Sequence, residues 1–239
     1  PRRYTETGLV RTVTDGRGNA STTHTDIAGR PIAVTDAAGN TTTTTYCATS
    51  DNPSAVTNAL GNTANYTYDV RNRKTAEYGT AIQPALFAWD DADRLISLTT
   101  FRIDEETIIS DPSDLSGGDT TVWTYHDATG LELEKTYANG RGTVRTYDAN
   151  NRLLSETVGD TVTIYTYDAN GNTLTAGDKT YTYNDRGQQI GYSNGTTAAA
   201  YAYNPSGLRK AKTVGGSTKY FVYNGMNIVY AYSESVADG

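Results

Sequence analysis

The sequence has few of the side chains on which catalytic and metal sites usually depend. Its 239 residues include one cysteine, one methionine and two histidines. The single Cys47 excludes an intramolecular disulfide and a cysteine-rich metal site. His24 and His126 lie about a hundred positions apart, so nothing in their spacing suggests a shared site. The sequence therefore predicts a noncatalytic chain with no cofactor-binding or metal-binding residues.

Positive charge and long apolar runs are also scarce. The formal net charge is −7, which gives no electrostatic attraction for a phosphate backbone and predicts no nucleic-acid partner. No stretch approaches the roughly 20 apolar residues of a membrane span, so no membrane insertion is expected. The first residues, Pro-Arg-Arg-Tyr, lack the apolar segment of a signal peptide. If the parent protein is exported, its export signal is expected outside this segment.

Strand-forming and turn-forming residues are abundant. Threonine is frequent, and there are 19 tyrosines and 23 glycines, a composition that favours β-strands and turns over helices. No window shows a persuasive 3.6-residue apolar period, and the one helical candidate is a short turn near residues 81–86. Residues 102–121 carry six carboxylates and no Lys or Arg after Arg102. We interpret them as an acidic loop inserted into an otherwise all-β chain.

A tyrosine-rich motif repeats along the chain. Residues 165–172 read Tyr-Thr-Tyr-Asp-Ala-Asn-Gly-Asn and recur in variant form at 181–187, 201–207 and 220–224. The first tyrosines of three copies are Tyr165, Tyr181 and Tyr201. The anchor aromatics just before the turns recur mostly every 20 to 22 residues, with one step of 16 and one of 36 across the acidic loop: Tyr68, Trp89, Tyr125, Tyr147, Tyr167, Tyr183, Tyr203 and Tyr223. Towards the N-terminus the spacing of turns falls to 10 or 11 residues, about one strand and one turn.

Each repeat has a turn signature. An Asp or Asn starts the turn, as at Asp69, Asp90, Asp127, Asp148 and Asp168. The third residue after it is always Gly, Asn or Asp, the types that tolerate positive φ: Gly18, Gly29, Gly39, Gly61, Asn72, Asp93, Gly130, Asn151, Gly171, Gly187, Gly207 and Asn227. This pattern predicts a type I turn closed by a left-handed residue, a common hairpin connection. The two rings of Tyr-x-Tyr are expected on one face of a strand, so the sequence predicts a long antiparallel meander with an aromatic stripe.

The repeat resembles the YD repeats of bacterial RHS and wall-associated proteins, which are related to the shells of animal teneurins and the cocoon of insecticidal toxin complexes. Residues 147–153 and 165–174 are nearly ideal copies, and weaker copies cover almost the whole chain. The resemblance implies a β-ribbon that spirals into a shell around a C-terminal, toxin-like polypeptide. Family members that release cargo carry an Asp-Pro-x-Gly protease motif. Residues 204–207 have Asn in place of that Asp, so self-cleavage is not transferred to this chain.

These observations predict a single repeat array over residues 1–239, one strip of a larger shell. The expected partners are the rest of the parent chain and its cargo. Such a strip has open sheet edges, which predict edge-to-edge self-association. The resemblance implies a secreted or cell-surface bacterial protein. An adhesin or carbohydrate-binding module that uses exposed tyrosines is the alternative, since extended aromatic faces suit sugar rings.

Three sharper hypotheses compete with ordinary structural roles. Residues 191–195 fit the Gly-x-Ser-x-Gly nucleophile elbow, but they lie between two Tyr-x-Tyr strands and no His follows, so a hairpin turn is favoured. Cys47 could pair with a histidine as a nucleophile, although a buried strand residue is the simpler interpretation. The turn aspartates could bind Ca²⁺, yet each is expected to accept backbone N–H bonds within its own turn.

Overall fold

The chain folds almost entirely into β-strands. A computed structural model describes residues 3–7, 9–103 and 109–235. The strands among these residues are β1 Arg3–Thr7, β2 Val10–Thr14, β3 Ala20–Thr25, β4 Pro31–Thr35, β5 Thr41–Tyr46, β6 Pro53–Thr57, β7 Thr63–Tyr68, β8 Lys74–Gly79, β9 Ala85–Trp89, β10 Leu95–Thr100, β11 Asp119–Tyr125, β12 Glu132–Thr136, β13 Gly142–Tyr147, β14 Leu153–Val158, β15 Thr161–Tyr167, β16 Thr173–Ala176, β17 Lys179–Tyr183, β18 Gln189–Ser193, β19 Ala198–Tyr203, β20 Arg209–Val214, β21 Ser217–Asn224 and β22 Asn227–Ser235. The predicted all-β class is confirmed.

The expected helical turn near residues 81–86 is wrong. Strand β9 already begins at Ala85, where Ala85 pairs with Glu77 of β8, and Pro84 just before it is buried. Proline lacks the N–H that a helix interior needs. A 3-10 turn occurs instead at Pro112–Asp114, where the side chain of Asp111 accepts a hydrogen bond from the N–H of Ser113.

The strands form antiparallel meanders within two compact units. The first unit comprises Pro1–Thr124 and Lys135–Gly140, and the second comprises Tyr125–Glu134 and Arg141–Gly239. In the first unit each strand from β1 to β11 pairs with the next one. In the second unit the same holds from β13 to β22. The predicted hairpin-after-hairpin topology is therefore confirmed, whereas the single array over the whole chain stays a prediction.

One face of these sheets carries mainly hydroxyl and small apolar side chains, and we call it the neutral face. Directly opposed residues share a face in an antiparallel pair, so the register assigns each strand residue to a side. Along β15 the neutral face holds Val162, Ile164 and Thr166, all exposed. Threonine and serine hydroxyls bond across neighbouring strands on this face at 2.6–3.2 Å: Thr12–Thr22, Thr35–Thr41, Thr57–Thr63, Thr67–Thr75, Thr99–Thr120, Thr146–Ser155, Thr166–Thr175 and Thr213–Thr218.

The other side, which we call the aromatic face, carries most of the rings. Along β15 it holds Tyr165 and Tyr167, which are half-buried while their neutral-face neighbours are exposed. Charged side chains lie over the rings, as where the Lys74 ammonium is 4.8 Å from the ring centre of Phe87 and 5.7 Å from that of Tyr66. Cation–π contacts of this kind stabilise a partly exposed aromatic layer. The predicted pairing of the two rings of Tyr-x-Tyr on one face is confirmed.

Left-handed residues close the turns as the sequence pattern predicts, with one exception. Eleven of the twelve predicted positions have positive φ, including the non-glycine residues Asn72 (φ 63°), Asp93 (φ 62°) and Asn151 (φ 64°). Asn227 is the exception. It begins β22 and pairs with Asn224, and the left-handed residue of that turn is Gly225 (φ 61°).

The left-handed Asn151 offers a test of the turn chemistry. We expect Asn151→Ala to lower the free energy of unfolding by about 1 kcal/mol, because alanine lacks the short polar side chain that lets asparagine tolerate the left-handed conformation. Asn151→Gly should stay within about 0.5 kcal/mol of the parent, since glycine relieves the strain but makes the unfolded chain more flexible. Urea denaturation followed by circular dichroism measures both changes. An Asn151→Ala variant as stable as the glycine variant would contradict a strained turn.

The segment predicted as an acidic loop ends earlier than the sequence suggested. Strand β11 begins at Asp119, so residues 119–121 belong to a strand. Asp104, Glu105 and Glu106 lie outside the described residues. Phe101 and Ile109 are buried. No helix in the described part of the chain has the length and apolar character needed to cross a membrane.

Candidate functional site

Within each unit, the turns that follow the anchor aromatics lie at one end of the strands, together with the turn after Thr25, and we call this end the tyrosine rim. In the first unit it comprises the turns at residues 26–30, 47–52, 69–73 and 90–94. In the second unit it comprises the turns at 126–131, 148–152, 168–172, 184–188 and 204–208. Many of the residues singled out from the sequence lie here. The rim is therefore the candidate site whose geometry we describe.

Each turn is organised by the side chain of its first residue. In the turn at 148–152, Oδ1 of Asp148 accepts the N–H groups of Asn150 at 2.8 Å and Arg152 at 2.9 Å. Oδ2 accepts the Nε–H of Arg152 at 2.7 Å, and the carbonyl of Asp148 accepts the N–H of Asn151 at 3.0 Å. Asp168 makes the same set of bonds with Asn170 and Asn172. The expectation that these aspartates bond within their own turns is confirmed.

These hydrogen bonds hold the turn carboxylates in their charged form. The backbone N–H of Arg152 is the main cause that lowers the pKa of Asp148, and the side-chain amide of Asn172 is the main cause that lowers the pKa of Asp168. Hydrogen bonds to a carboxylate favour its ionised form. The pKa is also lowered at the other turn-starting aspartates, Asp15, Asp26, Asp36, Asp69 and Asp90.

We expect the chain to lose stability in acid. Because the folded pKa values lie below those of the unfolded chain, the stabilisation is present above the unfolded value of about 3.9. It is lost as the pH falls from about 5 through the folded pKa values. Thermal unfolding from pH 6 downward should show a falling melting temperature.

Three turns of this chain start with asparagine, which shows that a turn-starting aspartate can be replaced by asparagine without loss of the turn's backbone bonds. Asn58 starts a turn with the same two backbone bonds, to Leu60 at 2.9 Å and to Asn62 at 3.1 Å, and Asn184 and Asn204 also start turns. The triple variant Asp15→Asn, Asp36→Asn and Asp168→Asn should therefore fold and should show a flatter pH profile. A variant with the same pH profile as the parent would exclude these carboxylates as the cause.

The anchor aromatics link each hairpin to the one before it. Six of the anchors named above, together with Tyr46 at the end of β5 as a seventh anchor, donate a side-chain hydrogen to a backbone carbonyl 14 or 15 positions earlier. That carbonyl belongs to the residue that opens the returning strand of the preceding hairpin. The distances are 2.8–3.0 Å. The pairs are Tyr46–Pro31, Tyr68–Pro53, Trp89–Lys74, Tyr147–Glu132, Tyr167–Leu153, Tyr203–Gln189 and Tyr223–Arg209. The same contact thus recurs through both units.

The fifth residue of a turn extends this link to the next turn. Arg152 lies over the ring of Tyr167 at 4.7 Å and donates to the carbonyl of Asp168 at 3.4 Å. Arg73 donates to the carbonyl of Asp90 at 2.5 Å and pairs with Asp93 at 2.8 Å. Gln188 reaches the carbonyl of Gly207 at 3.1 Å. In these three cases a turn is therefore tied to the next turn along the rim of its own unit.

The remaining predicted residues occupy related positions. Tyr181 lies beside Tyr192 on the aromatic face, with ring centres 5.6 Å apart, and Arg209 covers the ring of Tyr201 at 4.6 Å. Tyr125 ends β11, and His126 takes the turn-starting place ahead of Asp127, since its N–H donates to Leu131 and its carbonyl accepts from Gly130. Tyr183, Gly171, Gly187 and Gly207 lie at the ends of strands or close turns as expected.

Sequence reasoning missed two features of the site. It did not identify the arginines at the fifth turn position, Arg30, Arg73, Arg94 and Arg152, whose side chains pair with the turn aspartate. Their regular spacing four residues after the Asp is the signal that could have found them. It also missed the cross-strand threonine pairs, which depend on the register.

The residues of the nucleophile-elbow and cysteine hypotheses lie at turns. Ser193 ends β18 and Asn194 starts a turn with Thr197, so residues 191–195 form a hairpin connection. The simpler interpretation of Cys47 as a buried strand residue is wrong. Cys47 follows β5, is only half-buried, and its N–H donates to Asn52, because it stands where other repeats have the turn-starting Asp. The described residues contain no group of three or more His, Cys, Asp or Glu placed to hold a metal ion.

Comparison with known proteins agrees with this geometry. The family model described as RHS Repeat matches residues 126–163, and no curated protein matches the chain. The crystal structure of TcdB2-TccC3-Cdc42 is similar over 89% of this chain and 13% of the matched chain, with 18% identity and a TM-score of 0.61. A structure of the Photorhabdus luminescens Tc holotoxin pore covers 89% and 12%, also with 18% identity and a TM-score of 0.61.

These matches define the chain as an all-β repeat chain with the fold of RHS shells. The similarity to the YD/RHS-repeat family predicted from the sequence is confirmed. The chain spans only about an eighth of the length of the matched structures.

Proposed function

We propose that this chain is a noncatalytic strip of wall in the β-shell of an exported bacterial protein, and that the shell encloses or presents a C-terminal, toxin-like polypeptide. The observation that carries the proposal is the repeated anchor bond between successive hairpins. A wall needs every hairpin to be fixed to its neighbour, and seven anchors of the two units make this contact. The similarity to Tc toxin structures supports the same function.

The chemistry of the rim supports a wall and not an active site. The carboxylates of the turns are occupied by backbone and arginine donors, and their pKa values are lowered. A general acid at neutral pH needs a raised pKa. The rim aspartates are therefore fitted to hold turns in register.

Protease protection of the complete parent protein tests the proposal. The parent is treated with a nonspecific protease under native conditions, and the products are measured by intact mass. We expect a C-terminal segment that survives digestion in the intact protein and is digested once the shell is denatured. As a control, the C-terminal segment expressed alone should be digested readily. Rapid digestion of the C-terminal segment in the intact parent would contradict an enclosing wall.

Carbohydrate binding is a second candidate function, favoured by one specific surface. On the last hairpin the ring of Tyr232 stacks on Tyr220 at 5.0 Å and on Tyr230 at 5.8 Å, and Tyr230 is 61% exposed. Exposed aromatic faces can stack on sugar rings. Binding to a polysaccharide panel that is lost in Tyr230→Ala and Tyr232→Ala would support this candidate. A uniform lack of response across the panel would exclude it.

Self-association through strand edges is a related proposal. The nine-residue β22 is the longest strand among the described residues, and it pairs with β21 on one side. A long edge strand can pair with a second chain. Light scattering should then show a mass that rises with concentration, and a strict monomer at high concentration would contradict it.

A further inference from the structure

Strands β17 to β21 carry an excess of positive charge in an otherwise acidic chain. From Lys179 to Asn224 there are six lysines and arginines against one aspartate, a formal charge of +5, whereas the whole chain has −7. The six cations are Lys179, Arg186, Arg209, Lys210, Lys212 and Lys219. The cations are therefore concentrated in one part of the second unit.

Four of these cations share the aromatic face, and we call them the basic surface: Lys179, Arg209, Lys212 and Lys219. Lys212 lies directly opposite Tyr201 on one side and Lys219 on the other. Lys179 is two residues before Tyr181, and Arg209 is opposite Tyr203. All four side chains belong to exposed residues. Like charges directly opposed on neighbouring strands are destabilising. The Lys212–Lys219 pair therefore lowers the stability of the fold, and no contact within the fold explains why it is there.

Arg145 and Lys74, two other cations on the aromatic face, have carboxylate partners, whereas Lys135 lies over the rings of Trp123 and Tyr137. Arg145 lies between Glu132 and Glu156, with 2.9 Å to the latter, and Lys74 pairs with Glu77 at 2.5 Å. No ion pair joins a member of the basic surface to any described residue. The neighbouring acidic residues lie outside this surface, since Asp178 and Asp185 are in the turns before and after β17 and Glu234 is opposite Thr218 on the neutral face.

We propose that the basic surface binds an acidic segment of the polypeptide that the shell holds, an inference that rests on the proposed function. The positive charge is complementary to clustered Asp and Glu, and a bound carboxylate would relieve the repulsion between Lys212 and Lys219. The rings of this surface are already engaged, because Arg209 covers Tyr201 at 4.6 Å and Tyr181 packs against Tyr192. Charge recognition, and not the stacking of sugar rings, is thus what the surface offers.

The test uses the whole 239-residue chain and a short fluorescein-labelled oligoglutamate peptide. Fluorescence anisotropy is measured at low ionic strength and again at physiological ionic strength, where the Debye length is about 8 Å. We expect saturable binding that weakens with salt. The double variant Lys212→Glu and Lys219→Glu should weaken the binding by about tenfold or more, since close charges dominate such contacts.

The matched control changes the same amount of charge away from the basic surface. Lys210 is the extra residue of the bulge opposite Ala202, on the neutral face, and Arg17 lies in an exposed turn of the first unit. The double variant Lys210→Glu and Arg17→Glu should bind within about twofold of the parent. Circular dichroism confirms that both variants are folded.

Two outcomes would overturn the inference. One is an equal loss of binding in both double variants, which would mean that binding depends on the net charge of the chain and not on the basic surface. The other is tighter binding of an acidic polysaccharide of equal charge than of the peptide. Because this assay needs no shell closure, its failure is distinguishable from failure of the protease-protection experiment.

Discussion

Replacing Gly79 with alanine is expected to lower the free energy of unfolding by about 3 kcal/mol or more. Gly79 ends β8, is buried, and has a φ of 123°. A Cβ at this position would lie 2.2 Å from the carbonyl oxygen of Thr63. That oxygen also accepts the N–H of Ala81 at 3.1 Å, so the backbone of β7 would have to move and weaken this bond.

Gly39 provides the matched control for this prediction. It also has positive φ, at 87°, but a Cβ there meets nothing within 4 Å. Gly39→Ala should therefore cost only the left-handed strain, about 1–2 kcal/mol. Urea denaturation followed by circular dichroism compares the two variants. Equal losses would mean that the contact with Thr63 adds nothing to the strain.

The features that the sequence predicted correctly are local ones. A turn needs only a few neighbouring residues, so an Asp followed three residues later by Gly or Asn was enough to place Asn72 and Asn151 in the left-handed region. The alternation of Tyr-x-Tyr was enough to place Tyr165 and Tyr167 on one face. The prediction of a left-handed Asn227 was wrong because this hairpin has a two-residue connection that contains Gly225 in place of the longer turn. Spacing alone does not distinguish these turn types.

The features that sequence reasoning missed depend on which residues meet across strands. The anchor bond joins residues 14 or 15 positions apart, and the bond from Tyr167 ends on a backbone carbonyl that carries no sequence signal. The threonine pairs and the basic surface likewise require the register between strands, which is set by turn length and by a bulge in many hairpins. Lys212 and Lys219 are seven residues apart in the sequence, and only the Gly215–Gly216 turn brings them face to face.

The second large effect is expected at an anchor aromatic. Trp89 ends β9, is half-buried, donates its indole N–H to the carbonyl of Lys74 at 2.8 Å, and has the Arg73 guanidinium 5.9 Å from its ring centre. Trp89→Ala removes both the packing and the hydrogen bond and should lower the free energy of unfolding by about 3 kcal/mol. Trp89→Phe keeps most of the packing and should cost about 1 kcal/mol.

A second tryptophan, Trp123, allows the contribution of the anchor hydrogen bond to stability to be separated from that of packing a large ring. Trp123 lies on the aromatic face beneath the ammonium of Lys135 at 5.3 Å, and its indole N–H makes no hydrogen bond with a described residue. Trp123→Phe should therefore cost about 0.5 kcal/mol or less, and urea denaturation measures the difference from Trp89→Phe. If the two phenylalanine variants lost equal stability, the bond to the preceding hairpin would contribute nothing. A larger loss at Trp89 would mean that the anchor bond itself holds successive hairpins together, as the proposed wall requires.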